Sequence, residues 1–253
     1  MLNPIEGEIF YVDKPLRWTS FDAVKRVRGV LARKTKKKKL KVGHAGTLDP
    51  LATGVLIVCS GKATKRIDEL QAHEKEYIAT LQLGATTPSF DLETEIDATF
   101  PTDHITRQLV EQTLTQFVGN IQQVPPAFSA CKVDGRRAYK IARKGRQVEL
   151  KAKELVITEI ELLDFSVPSL TIRVVCSKGT YIRALARDIG EALGSGAHLT
   201  ALRRTRVGNV SIDKCSSVDE LINQLENTEM VEWVEPEPKK KNVENHDITE
   251  KNQ

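Results

Sequence analysis

Residues 43–59 have the sequence GHAGTLDPLATGVLIVC, in which a glycine-rich loop runs directly into a short apolar segment. Three glycines and one proline lie within the first twelve of these residues, a density that predicts a tightly specified loop. The segment VLIVC is short, continuous and rich in β-branched side chains, so it predicts a buried strand. The stretch therefore predicts a loop of defined shape that leads into a core strand.

Other periodic segments surround this loop and strand. Residues 75–83, KEYIATLQL, carry apolar side chains at alternate positions, as in a strand with one buried face. Thr19 or Ser20 can cap a helix whose predicted apolar stripe is Phe21, Val24, Val27 and Leu31. Further strands are predicted at residues 8–12, 154–165 and 170–176, and further helices at residues 106–117, 181–193 and 218–225. Because these elements intermingle without regular βαβ alternation, we expect an α+β fold, a mixed and largely antiparallel sheet flanked by helices.

The composition is that of a soluble globular protein. The chain has 253 residues, of which 40% are hydrophobic and 28% charged, enough to bury the core of one large domain. We expect residues 1–230 to form this domain and residues 231–253, rich in Pro, Glu, Lys and Asn, to be a disordered tail. No apolar run is long enough for a membrane span and the N-terminus has no signal-peptide pattern, so we expect a cytoplasmic protein.

The four cysteines, at positions 59, 131, 176 and 215, are widely separated and form no CxxC pair. A zinc site or a disulfide framework is therefore not expected, and we interpret them as buried thiols in a reducing compartment.

Charge is divided unevenly along the chain. The net charge is +4, but residues 219–253 carry −6 and the remainder carries +10. A basic body indicates a polyanionic partner, although an ordinary solvated surface would have the same composition. Three basic segments could face such a polyanion: residues 33–41 (RKTKKKKLK), residues 132–151, and the cluster of Arg203, Arg204 and Arg206. The first of these is predicted to be a mobile loop that either grips phosphates or is merely solvated.

Asp49 is the most conspicuous candidate for chemistry in the glycine-rich loop. It lies between Leu48 and Pro50, and a carboxylate among apolar neighbours is costly unless something pairs with it. Such placement is typical of a reactive group, although an aspartate that caps a turn would look similar. His44, in the same loop, could be a base or a contact residue; no second His or carboxylate stands at metal-ligand spacing, so no metal is expected.

No cofactor is expected either. The pair of glycines at Gly194 and Gly196 follows a predicted helix rather than a strand, and the sequence contains no GxxxxGK motif. A reaction that uses one carboxylate and consumes no cofactor fits these observations.

The loop GHAGTLDPLATG closely resembles the catalytic loop of TruB-type pseudouridine synthases. Four further blocks resemble motifs of that family and occur in its order: DKP at 13–15, KEY at 75–77, KGTYIR at 178–183, and GAH at 196–198 followed by LRR at 202–204. The matching blocks extend from about residue 7 to residue 212, more than four-fifths of the chain. The resemblance implies the pseudouridine synthase fold and isomerisation of the T-loop uridine of transfer RNA, uridine 55, by base flipping.

The resemblance also assigns roles to individual residues. It implies that Asp49 is the nucleophile that lets the uracil detach, rotate and rejoin through carbon. Arg183 would pair with Asp49, keep it ionised and orient it, and Tyr77 would stack on the target base and assist proton transfer. Substrate contacts are expected from His44, which would fill the space vacated by the flipped nucleotide, and from Tyr181, Leu202 and Lys14. Lys14 could instead be a structural residue at the end of its strand.

The expected partner is accordingly the T arm of transfer RNA, bound by a monomer, with no DNA and no membrane involved. The sequence departs from the family pattern after the tyrosine strand, where Asp91 occupies the aspartate position of an altered segment, TPSFD at 87–91. Residues 213–253 are too few and too polar for the RNA-binding PUA domain of many relatives, so binding is expected to depend on the catalytic domain. Two alternatives remain: a guide-RNA-dependent, dyskerin-type synthase, and a non-catalytic RNA-binding or RNA-folding protein.

Overall fold

The computed structural model describes residues 1–234 except residues 130, 134, 144, 145 and 147. Its strands are β1 (Ile9–Lys14), β2 (Val42–His44), β3 (Ala52–Ser60), β4 (Lys75–Leu83), β5 (Ala85–Thr86), β6 (Ala98–Thr99), β7 (Gly119–Gln123), β8 (Lys132–Val133), β9 (Arg136–Arg137), β10 (Lys153–Ser166), β11 (Ser169–Cys176), β12 (Ala197–Val207), β13 (Val210–Ser211) and β14 (Ser216–Ser217). Its helices are α1 (Ser20–Lys34), α2 (Ile67–Ala72), α3 (Arg107–Thr115), α4 (Ala138–Ala142), α5 (Ile182–Ala192) and α6 (Val218–Asn227), with 3₁₀ turns at Gly61–Arg66 and Ile212–Lys214.

One ten-stranded sheet organises the molecule. Its main order is β14-β1-β3-β12-β4-β11-β10-β7, with β2 paired to β3 and β13 to β12. All neighbours are antiparallel except β1 with β14 and β3 with β12. The prediction of a mixed, largely antiparallel sheet flanked by helices is confirmed.

The two central strands differ in burial because they have different neighbours. On β4 every second residue is buried, from Lys75 to Leu83, and these side chains share one core with α5 and α3. On β3 both faces are buried: Leu56 and Val58 pack against α1 and α6, whereas Val55 and Ile57 belong to a smaller cluster on the other face. The continuous apolar run of β3 follows from this double burial.

Helix α1 begins where the sequence predicts, but its buried face is rotated from the expected stripe. Thr19 and Asp22 form a reciprocal capping box at its start. Val24, Val27 and Leu31 are buried, whereas Phe21 is 56% exposed, so its assignment to the stripe is wrong. At 100° per residue, Phe21 lies about 120° around the helix from the centre of the buried face.

The lysine-rich segment 33–41 is a loop for most of its length. Its first two residues continue α1, and residues 35–41 form turns that lead into β2. Of the twenty residues of the basic segment 132–151, four positions (134, 144, 145 and 147) and four further side chains (132, 133, 136 and 137) lie outside the described residues. Residues 235–253, most of the expected tail, also lie outside them.

Arg204, the central residue of the arginine cluster on β12, is a structural residue. Arg204 is 1% exposed and donates to the carbonyls of Val55, at 2.7 Å, and Gly46, at 3.0 Å. Arg203 pairs with Asp13, and Arg206 pairs in the same way with Glu74. The expectation that these three cations bind RNA phosphates is wrong for Arg204, because its charge is enclosed by the fold.

The prediction that all four cysteines are buried is confirmed for only two of them. Cys59 and Cys176 are buried, but Cys131 and Cys215 are half-buried.

In the part of the chain that the structure describes, no helix is both long and apolar enough to cross a membrane.

Gly54 is the tightest backbone approach between β3 and β12. Its φ is +105°, and an added Cβ would lie 2.1 Å from the carbonyl oxygen of Arg204. Gly54→Ala is therefore expected to lower the free energy of unfolding by roughly 3 kcal/mol, from strain and from separation of the parallel pair. Urea denaturation measures this. Gly29→Ala is the matched control: it adds a methyl group in open space on α1, and should stabilise by about 0.5–1 kcal/mol. Equal stability of the two variants would contradict the assignment.

Candidate active site

The loop that carries Asp49 is held from two directions. Ser20, at the start of α1, uses its hydroxyl to bond both the backbone N–H and the carbonyl of Leu48, at 2.8 and 3.1 Å. The N–H of Arg17 donates to the carbonyl of Pro50 at 2.7 Å, and Leu48 itself is buried in the main core. Asp49 therefore sits on a loop whose backbone is fixed on both sides of the carboxylate.

Arg183 provides the cation that faces this carboxylate. It lies in the first turn of α5, is 4% exposed, and its Nε is 2.9 Å from Oδ2 of Asp49. The N–H of Nε does not point at this oxygen, so the contact is an ion pair rather than a directed hydrogen bond. The two terminal nitrogens donate to the carbonyls of Ser89 and Phe128, each at 3.0 Å. All three nitrogens of the guanidinium are thus positioned by the protein.

Asp91 is a second carboxylate at the same centre. Its Oδ2 lies 3.6 Å from Nε of Arg183, and the residue is buried. Burial raises the pKa of Asp49 above its ordinary value, Arg183 opposes this, and the negative charges of Asp91 and Glu93 add to it. The net direction is upward although the Asp49 side chain is still 40% exposed. Arg183 therefore favours the ionised form, as the resemblance implies, without outweighing burial.

A small cleft opens above the pair. Asp49, Asp91 and Arg183 lie at its polar end, and Leu51, Leu92 and Leu202 contribute to its apolar wall. Leu202 reaches it because β12 runs parallel to β3, with Leu202 opposite Ala52. Tyr181 does not line this cleft: its hydroxyl lies 3.4 Å from the sulfur of Cys131, and its backbone N–H donates to Gln123.

Tyr77 is more enclosed than a stacking residue would require. It lies on β4 between β11 and β12, and only 7% of it is exposed. Burial raises the pKa of its phenol, which therefore stays protonated. A protonated phenol can donate a hydrogen bond but is a poor base.

His44 and Lys14 approach the loop from the β2 and β1 sides. Burial and the neighbouring Arg204 lower the pKa of His44, so its ring is neutral at neutral pH. Lys14 is fully buried and donates to the carbonyls of Pro15 and Trp18, at 2.9 and 2.6 Å. Burial lowers the pKa of Lys14 to about 8, against the pull of Asp49. Lys14 is thus enclosed in this structure, an arrangement that favours the structural alternative over a substrate contact.

A family model for the "TruB family pseudouridylate synthase (N terminal domain)" matches residues 33–182, and a model for the "tRNA pseudouridylate synthase B C-terminal domain" matches residues 183–236. The chain belongs to the TruB family of pseudouridylate synthases. The first match alone covers more than half of the chain and includes the glycine-rich loop with Asp49, Asp91 and Tyr77.

Curated relatives of this TruB family chain extend over nearly its full length. It is 68% identical to the tRNA pseudouridine synthase B of Phocaeicola vulgatus, over 92% of this chain and 99% of that protein. It is 69% identical to the protein of the same name from Parabacteroides distasonis, over 88% and 94% of the two chains. Among solved structures, a crystal structure of a Cbf5-Nop10-Gar1 complex matches with a TM-score of 0.66 and 29% identity. That match covers 87% of this chain and 55%, about half, of the other.

Several residues that shape the TruB centre gave no signal of their own in the sequence. Ser20 is 28 positions from the loop that it holds, and Phe128 offers only a backbone carbonyl to Arg183. Glu93 acts through its charge alone. Asp91 could be suspected from its alignment with a family aspartate, but not its contact with Arg183. In the described part of the chain, no group of three or more His, Cys, Asp or Glu side chains could hold a metal ion.

The electrostatic coupling at this centre is testable without any substrate. Because the Asp91 carboxylate raises the pKa of Asp49, Asp91→Asn should lower the Asp49 pKa and extend its ionised range to lower pH. Carbon-13 NMR titration of the side-chain carboxyl carbons measures the shift. Glu69→Gln, on the exposed surface of α2, serves as the control and should leave the titration of Asp49 unchanged. A higher Asp49 pKa in the Asp91 variant would show that the assigned coupling is wrong.

Proposed function

We propose that this protein converts uridine 55 in the T loop of transfer RNA to pseudouridine, with Asp49 as the nucleophile. The observation that carries the proposal is the carboxylate of Asp49, fixed on a rigid loop, 2.9 Å from a buried arginine and open to a cleft. A carboxylate that is desolvated and oriented in this way suits nucleophilic catalysis. The names of the curated relatives, tRNA pseudouridine synthase B, support the substrate.

In the proposed reaction the target nucleotide leaves its stack and its base enters the cleft beside Asp49. Extrusion costs a few kcal/mol, and one aromatic stack returns about 1–3 kcal/mol. Asp49 lets the glycosidic bond between N1 and the ribose carbon break, the uracil turns, and C5 of the ring bonds to that ribose carbon. C5 then loses its proton and N1 gains one, so the product is an isomer of the substrate and Asp49 is released unchanged. Leu202 borders the space for the base. From the family resemblance we assign Tyr77 stacking on the base and assistance in proton transfer, and Tyr181 a contact with the base; neither residue lines the cleft in this structure. His44, neutral and next to the loop, would fill the gap in the stack.

The expected organisation follows the same proposal. Residues 1–230 form the catalytic unit, which acts as a monomer in the cytoplasm on the T arm. The boundary at residue 230 is supported by the bridge between Leu2 and Met230, since the chain closes on itself there. The first residues past this boundary, 231–234, still contact the body, as the N–H of Trp233 donates to Thr35.

A guide-RNA-dependent activity is the second candidate, favoured by the fold shared with the Cbf5-Nop10-Gar1 complex. The difference in identity, 29% against 68%, argues for direct recognition of transfer RNA. Retention of Asp49 and Arg183 in an ion pair argues against a purely non-catalytic RNA-binding protein.

The role of Asp49 predicts a specific loss. Asp49→Asn keeps the shape of the side chain but removes the nucleophile, so pseudouridine formation in an unmodified transfer RNA transcript should stop while RNA binding stays within about tenfold. Asp68→Asn, on α2, is the control and should turn over normally. Turnover of the Asp49 variant above roughly a hundredth of the wild-type rate would refute the assignment.

The reaction is also proposed to need no metal ion. Activity should survive EDTA once the transfer RNA has been folded, because the Asp49–Arg183 centre supplies its own charges. Pseudouridine mapping at matched ionic strength measures this. Loss of activity that zinc restores and magnesium does not would contradict it.

A further inference from the structure

The lysine run divides into two halves that face different neighbours. Lys36 adopts a left-handed backbone conformation, with φ of +58°, and turns the chain at the end of α1. Residues 36 and 37 lie on the side of the C-terminal segment 226–234, and residues 38–41 lead toward β2. Seven basic residues in nine therefore do not act as one uniform patch.

The first half is compensated within the protein. Nζ of Lys36 lies 2.6 Å from a carboxylate oxygen of Glu232. Nζ of Lys37 lies 5.5 Å from the centre of the Trp233 ring, a cation–π distance. The N–H of Trp233 donates to the carbonyl of Thr35 at 2.8 Å, which holds the C-terminal segment in place. These two lysines already have partners.

The second half borders an open cleft. The cleft lies between the loop, β2 and the 3₁₀ turn before α2, and its lining includes Arg28, Lys38, Lys39, Lys41, Gly43 and Thr64. Lys38, Lys39 and Lys41 are exposed. Among the described residues, no carboxylate forms an ion pair with any of the four cations. Four positive charges thus converge on one concave surface without a compensating anion from the described chain.

This arrangement is built by the fold rather than left to a flexible loop. Leu40 is 5% exposed and packs into the core beneath α1, so the lysines on either side of it point outward. Gly43 lines the cleft and directly precedes His44 of the glycine-rich loop. The cleft therefore touches the glycine-rich loop only at its first residue, since Gly43 pairs with Cys59 at the opposite end of β3 from Ala52.

Phe21 extends the same surface along α1. Its ring is 56% exposed, and the guanidinium carbon of Arg28 lies 5.6 Å from the ring centre. Seven residues of helix place Phe21 about 10 Å from Arg28 along the axis. Phe21 also follows Ser20, whose hydroxyl holds Leu48 beside the nucleophile. An exposed aromatic ring thus lies between the cationic cleft and the active-site loop.

We propose that this surface binds one strand of the transfer RNA on its way to the active site. Arg28, Lys38, Lys39 and Lys41 bind consecutive phosphates, and Phe21 stacks on a base next to them. Cations that track a backbone beside an aromatic platform are what a nucleic acid strand requires. This assignment rests on the proposed function, in which transfer RNA is the substrate. It gives RNA binding to the four cleft cations and not to Lys36 and Lys37, which contact the C-terminal segment.

Two matched double variants test the division. Each phosphate contact contributes about 0.7–0.9 to the slope of log K against log salt. Lys38→Ser with Lys39→Ser should therefore weaken binding to an unmodified transfer RNA transcript and flatten the slope by about 1.5. Lys36→Ser with Lys37→Ser removes the same charge from the same run and should change the slope by less than about 0.5, because both lysines face the C-terminal segment rather than the cleft and Lys36 is paired with Glu232.

Two further variants separate charge from shape. Lys38→Arg with Lys39→Arg keeps the charge and should keep the wild-type slope. Phe21→Ala should weaken binding about tenfold with no change in slope, since stacking releases no counterions, and Phe21→Trp should restore the affinity. Thermal unfolding of each variant checks that these exposed substitutions leave the fold intact.

Equal slopes for the two serine pairs, or an unchanged slope for the Lys38 and Lys39 pair, would overturn the proposal and leave the cleft to a different polyanion. These measurements report binding alone. Pseudouridine formation by the unaltered protein in the same transcript reports the proposed function separately, so a failure of one is not a failure of the other.

Discussion

A single buried guanidinium, that of Arg204, joins the sheet to the active-site loop. It donates to Val55 on β3 and to Gly46 in the loop, while Gly54 lets the two parallel strands approach. Leaving these carbonyls or this charge without partners inside the protein would cost several kcal/mol, so the contacts hold in only one arrangement. β12 also brings Leu202 to the cleft. The pairing of β3 with β12 therefore positions both the apolar wall of the cleft and the glycine-rich loop.

The chemistry of the centre depends on two opposing effects on the pKa of Asp49: burial raises it, and pairing with Arg183 lowers it. Two backbone carbonyls position Arg183, which contacts Asp49. The carboxylate of Asp91 lies close to the same guanidinium, so Arg183 is shared between two anions. Burial therefore raises the pKa of Asp49 above its ordinary value, and Arg183 opposes that shift. A carboxylate less well stabilised than one in water is more reactive toward an electrophilic carbon, while its partner still defines its direction.

Hydrophobic periodicity predicted those elements that bury one whole face against the apolar core. The alternation in KEYIATLQL matches the burial of β4, and the helix predicted at residues 218–225 is α6, Val218–Asn227. Periodicity and residue type failed where a contact with a residue distant in sequence determines whether a side chain is buried. Phe21 is apolar but faces away from the core, and Arg204 is basic yet buried by carbonyls about 150 positions away. At the site, family motifs supplied Asp49 and Arg183, but not Ser20 or the shared ion pair with Asp91.

The parallel pairing of β3 with β12 also governs the order in which the molecule can be assembled. Asp49 and Ala52 are made early, whereas Arg183 and Leu202 follow about 130–150 residues later, so their contacts are strongly non-local. During synthesis the antiparallel pair of β1 and β3, with α1 between them in sequence, can form while the later strands are still inside the ribosome. Asp49 then lies on a loop that Ser20 and Arg17 already hold, but its contact with Arg183 and the bond from Arg204 to Gly46 have yet to form. Only when α5 and β12 have emerged does the nascent chain acquire its active centre, in one late and cooperative step.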